Sequence, residues 1–155
     1  MRIQHVLTTG AVGALVIAGC AGSTPGYSRT NPSQVTCGCE PGDACFEAAG
    51  HLASSRGETA ETAEELLYLA QCACFQGTVG GCNTVSHYAK DYVAACEADR
   101  EPRTSCTIAG FVHHHGVAVP RLNGRSFPPD QAAALAAFDK ACRAGSPVAC
   151  QHTPK

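Results

Sequence analysis

The chain has 155 residues, with eleven basic and thirteen acidic side chains, seven histidines and a formal net charge of −2. That balance excludes the basic surface a nucleic-acid binder needs, and the length suits one compact domain better than two. Tryptophan is absent, aromatics make up 6% of residues and cysteines number eleven, so a core of alanine and small aliphatics has to be reinforced, and the cysteine count points first to a disulfide framework.

At the N-terminus, Arg2 precedes an uncharged run from Val6 to Ala18. At about 1.5 Å per residue the run is too short to span a bilayer, but it has the length of a signal-peptide core. It closes on Ile17-Ala18-Gly19-Cys20, which resembles the lipobox of exported bacterial lipoproteins. The resemblance implies that residues 1–19 are removed and that Cys20 becomes a lipidated N-terminus, with a diacylglyceryl thioether on its sulfur. Several acyl chains, at about 0.8 kcal/mol per buried methylene, hold a protein on a membrane almost permanently. Ala21 stands where some bacteria use aspartate to retain lipoproteins at the inner membrane, which favours the outer membrane. Residues 20–35, rich in Gly, Ser, Thr, Pro and Asn, read as a flexible tether. Residues 36–151 are then the folded domain and 152–155 a frayed tail. The mature chain carries a net charge near −3 and ten cysteines that can pair.

Across the domain the apolar period is helical, and no stretch alternates as a strand would. A first helix is expected over 43–55, with Cys45, Ala48, Ala49 and Leu52 on one face and Gly57 as its stop. A second starts near Thr59 or Thr62, where Thr62-x-x-Glu65 has the form of a capping box. Glu58, Glu61, Glu64 and Glu65 cluster at this start, as expected of acidic side chains favouring a helix N-terminus. Leu66, Leu67, Leu69 and Ala70 carry the helix to Cys72 and Cys74, and Gly77, Gly80 and Gly81 read as its end. A third helix is expected from Asn83 to Ala98 and a fourth from Pro102 to Gly116. Residues 117–128 read as an irregular connection, followed by a fifth helix from Pro129 to Gly145 and a single turn near Val148–Gln151.

The cysteines recur at nearly one interval. Seven residues separate Cys37 from Cys45, Cys74 from Cys82, and Cys142 from Cys150, while nine separate Cys96 from Cys106. Where the first cysteine ends one helix and the second opens the next, the bond crosses a helix–turn–helix corner. There the Cα atoms can approach the roughly 5.5 Å a disulfide requires. The expected bridges are Cys37–Cys45, Cys74–Cys82, Cys96–Cys106 and Cys142–Cys150. Cys39 and Cys72 are left, and their pairing is the simplest closure. The exchange of Cys74 to Cys39 with Cys72 to Cys82 stays open. A zinc site from the two Cys-x-Cys pairs is the competing use of these thiols, disfavoured in an oxidising compartment.

The run Phe138-Asp139-Lys140-Ala141-Cys142-Arg143-Ala144-Gly145-Ser146-Pro147-Val148-Ala149-Cys150 resembles the helix-junction signature of Sel-one-like repeats, which are tetratricopeptide-related. Cys106-Thr107-Ile108-Ala109-Gly110 and Ala73-Cys74-x-x-Gly77 with Cys82 repeat parts of it, and the interval from Cys106 to Cys142 is 36 residues. The resemblance implies an all-α fold of disulfide-stapled helical hairpins, either a short repeat-like array or a compact bundle of about five helices. It departs from the family between Cys82 and Cys96, where an interval of 14 residues leaves room for one helix only, and in the long 117–128 loop.

No catalytic motif accompanies these features: there is no Cys-x-x-Cys, Gly-x-Ser-x-Gly or phosphate loop. His113, His114 and His115 project about 100° apart on a helix, so they do not converge on one metal, and they suit the dipole of a helix C-terminus. His51, His87 and His152 lie elsewhere. Neither a cofactor nor a metal is expected. The favoured reading is a non-catalytic module of the cell envelope, held to the membrane through Cys20 and binding a protein or peptide. Two other classes stay open. One is an envelope enzyme acting on cell-wall-related or β-lactam-like compounds, and the other is metal or redox handling through the histidines and spare cysteines.

Overall fold

The computed structural model describes Cys37, residues 43–118 and residues 126–154. The helices are α1 (Ala44–Arg56), α2 (Ala63–Phe75), α3 (Val79–His87), α4 (Val93–Glu97), α5 (Pro102–His115), α6 (Gln131–Arg143) and α7 (Pro147–Cys150). A π-helical turn, Tyr88–Tyr92, joins α3 to α4 without a break. Two short segments, β1 (Val117–Ala118) and β2 (Ser126–Phe127), pair antiparallel and close the ends of the 117–128 connection. The fold is an all-α, disulfide-stapled bundle in which each helix packs on the next and α5 also touches α2.

The third helix begins earlier than its glycines suggest. Gly80 and Gly81 lie inside α3 because neighbouring elements come too close for a side chain. A Cβ on Gly81 would sit 2.5 Å from the Ala73 Cβ, and one on Gly80 would meet the Phe46 ring at 2.5 Å. Only Gly77, at φ +97°, is needed to turn the chain. The Thr62 capping box does not form either. Its hydroxyl is buried in the α1–α2 turn, donating to the Gly57 carbonyl at 2.7 Å and accepting from the Thr59 N–H at 3.0 Å. Asp130 does cap α6, accepting from the Ala133 N–H at 2.9 Å.

Three helix ends share one construction. In the corner after α2, the Gly77 N–H bonds the Cys74 carbonyl and the Thr78 N–H bonds the Ala73 carbonyl. After α6, Gly145 and Ser146 bond Cys142 and Ala141 in the same way; after α4, Asp99 and Arg100 bond Cys96 and Ala95. This is the Schellman pattern, with a left-handed residue after the helix and the cysteine as the helix's penultimate residue. Each cysteine then bonds to one in the first turns of the following helix: Cys74–Cys82, Cys96–Cys106 and Cys142–Cys150, at Cα separations of 4.4, 4.7 and 4.7 Å. The middle corner is two residues longer. It carries Asp99 at φ 55° and Glu101 at φ 47° where the others have one glycine, and the Ser105 hydroxyl ties it by donating to the Arg100 carbonyl at 2.7 Å.

The N-terminal bridges differ from the expected ones. Cys37 pairs with Cys72, at a Cα separation of 5.5 Å, which excludes both Cys37–Cys45 and Cys39–Cys72. Cys45 is disulfide-bonded as well, whereas Cys39 lies outside the described residues. The corner geometry does not apply here because Cys37 itself is not helical, and the first described helix starts at Ala44. Along α2, residues two apart point about 200° from one another. Cys74 therefore faces the α3 corner, while Cys72 faces Cys37.

The interior is thinly supplied with large side chains. Leu66, Leu67, Tyr88, Ile108, Phe111 and Phe138 are buried among many alanines and cystines. α5 and α6 approach closely at Gly110, where a Cβ would lie 2.5 Å from the Phe138 ring. Helix α6 buries Ala134, Ala137 and Ala141 beside Phe138. Each large apolar side chain contributes about 1.5–3 kcal/mol by burial. One staple, worth about 2.5 kcal/mol in the chain-entropy model, matches one of them.

Candidate functional site

The acidic stretch before and into α2 does more than favour a helix N-terminus. Glu58, Glu61 and Glu64, three residues apart, each take a partner from a later element. Tyr92 donates its hydroxyl to Glu58 at 2.7 Å, Arg103 donates to Glu61, and His115 Nε2 donates to Glu64 at 3.0 Å. The row therefore fastens the α1–α2 turn and α2 to α5 and to the π-helical turn. Burial, followed by the hydrogen bond to Glu58, pushes the Tyr92 hydroxyl pKa up, and burial also raises that of Tyr88. The His115 hydrogen bond holds the Glu64 carboxyl below its ordinary 4.5, with help from the fields of His115, His152 and His114.

The histidine run separates as helical geometry requires. His115 is buried and pairs across to α2, while His114 lies 3.3 Å from Gln131 Oε1 at the start of α6. His114 and His115 also join an aromatic cluster with Phe111, Phe138 and His152. Phe111 and His115 stack, Phe111 meets Phe138 edge to face at 5.1 Å, and His152 lies on the Phe138 ring at 4.6 Å. The tail expected to fray from residue 152 is thus pinned through His152, whose N–H also bonds the Ala149 carbonyl. No group of three or more His, Cys, Asp or Glu side chains among the described residues is arranged to hold a metal ion.

A second group lies on the outer face of the α3–α4 rod. His87, Asp91, Tyr92, Ala94, Ala95 and Arg100 line an open depression of about 390 Å³. His87 Nδ1 and Asp91 Oδ2 are 2.6 Å apart, both groups substantially exposed, and the His87 ring meets Tyr92 edge-on at 5.1 Å. Helical spacing places His87, Asp91, Ala94 and Ala95 on one side, and the Schellman turn returns Arg100 to its rim. The depression offers a cation, a carboxylate, an imidazole and a phenol ring around two alanines. Sequence reasoning missed it, although the i, i+4 interval of His87 and Asp91 was a usable signal; nothing in the chain flagged Arg100.

Cys20, the expected lipidation site, lies outside the described residues. No helix among those residues is long and apolar enough to cross a membrane. Compared with protein-family models, curated proteins and solved structures, the chain shows no match.

Proposed function

We propose that this protein is a bacterial lipoprotein whose domain acts as a non-catalytic binding or scaffold module of the cell envelope. The Cys20 lipid is its anchor, residues 20–35 its tether, and the outer membrane its favoured site. The observation that carries the binding role is the open depression on the α3–α4 rod. Opposite charges and an aromatic edge surround a shallow apolar floor there, which suits contact with a protein or peptide side chain more than enclosure of a small substrate. The π-helical turn that presents it is a feature often found at functional positions. The Sel-one-like resemblance agrees, since such hairpins present helix faces to partners, and the three recurring corners support that kinship.

Two measurements test this reading. Crosslinking in intact envelopes is expected to capture a specific protein or peptide partner with the native chain and to lose it with Arg100→Glu. No specific partner, or capture indifferent to Arg100, overturns the binding role. Metabolic labelling with palmitate is expected to mark the native chain and not Cys20→Ser, which should also leave the membrane fraction. An unlabelled native chain overturns the anchor.

A further inference from the structure

The disulfides differ sharply in exposure. Cys45, Cys72, Cys74, Cys82, Cys96 and Cys106 are all buried. Cys37 and Cys142 are half-buried, and Cys150 is exposed, the one exposed cystine residue among those described. Disulfide exchange requires an incoming thiolate to reach a sulfur, so access is a first determinant of rate. The corner around this bridge is held by other contacts too. The Thr107 hydroxyl donates to Ser146 Oγ at 2.9 Å, Ser146 Oγ accepts from the Ala149 N–H at 3.2 Å, Ala149 is buried, and His152 lies on Phe138. Opening the bond therefore leaves α7 seated, with the two sulfurs near each other and ready to close again.

We propose that Cys142–Cys150 is a site of reversible thiol–disulfide exchange with an external dithiol. A thiolate of the dithiol attacks Cys150 Sγ. A bond forms between those sulfurs as the Cys142–Cys150 bond breaks, and Cys142 leaves with the electron pair and takes a proton from water. The dithiol's second thiolate then attacks its own first sulfur, releasing Cys150 as a thiolate that is protonated in turn. The protein bridge gains two electrons and two protons, and the dithiol is oxidised to a disulfide. This chemistry stands apart from the binding role at α3–α4.

The test uses the full oxidised chain under native conditions. After exposure to limiting dithiothreitol, alkylation and peptide mapping should mark Cys142 and Cys150 at least tenfold faster than Cys74, Cys82, Cys96 and Cys106. Equal rates, or earlier opening of another described bridge, overturn the proposal. A thioredoxin-type protein lacking its resolving cysteine provides the second arm. Capture on Cys150 supports a protein dithiol as the source. Capture on another cysteine overturns the assigned attack, and reaction with dithiothreitol alone supports a small dithiol. Cys142→Ser combined with Cys150→Ser should remove the fast phase while leaving the far-ultraviolet circular dichroism unchanged; a persisting fast phase also overturns it.

Discussion

Gly50 and Gly145 isolate what a missing side chain does. Neither would bring a Cβ within 4 Å of a neighbour, but Gly145 sits at φ +87° after α6 whereas Gly50 lies inside α1. Alanine at Gly145 should destabilise the protein by about 1–2 kcal/mol, the cost of a left-handed residue with a Cβ. At Gly50 it should stabilise by about 0.5–1 kcal/mol. Urea unfolding midpoints should therefore move in opposite directions. Asp99, left-handed after α4, is held by its side chain: Lys140 Nζ reaches its carboxylate at 2.9 Å and also donates to the Cys96 carbonyl at the same helix end. Glu64 connects residue chemistry to pH. Its carboxyl titrates below 4.5 in the folded protein, so the stability it contributes is present above that pH and is lost as pH falls through the lowered value. Glu64→Gln should unfold more easily than the native chain at pH 7, and in thermal melts the two should converge only once pH has fallen through that lowered value.

The helix ends give the clearest case of structure written locally. Cys74-x-x-Gly77 and Cys142-x-x-Gly145 display their turn residue and their partner cysteine within nine positions, so both corners could be read. The corner between Cys96 and Cys106 was readable only from spacing, because its left-handed residue is Asp99. The N-terminal pairing was not readable. It depends on which side of α2 Cys72 faces and on where packing places Cys37, and neither is a local property. The aromatic cluster and the Glu58–Glu61–Glu64 row were hidden for the same reason, since partners such as His115, 51 residues from Glu64, are set by packing. For the staples the magnitude is open to test. Replacing Cys96 and Cys106 together by alanine should cost about 2–3 kcal/mol in urea unfolding, with the helical circular dichroism retained.

Across the whole molecule, stability rests on neighbour-to-neighbour packing with few large interior residues. Phe138 is the weightiest of these for the C-terminal half, since it lies on Gly110, meets Phe111 and supports His152. Phe138→Ala should cost about 3–5 kcal/mol and should release the tail, readable as faster amide exchange beyond Cys150. The Cys96–Cys106 pair and Phe138 share the α4–α5–α6 region, so their combined cost should depart from the sum.

The spans of the bridges have a consequence for how the reduced chain recovers its sulfur pairing. The three corner bridges join cysteines 8 to 10 residues apart, whereas Cys37 must find Cys72 across 35. By the three-halves power of contour length, that encounter is about eightfold rarer than closure of a nine-residue loop. Mispaired species during air oxidation should accordingly concentrate at the front of the domain, and an isomerase should speed maturation there far more than at the rear.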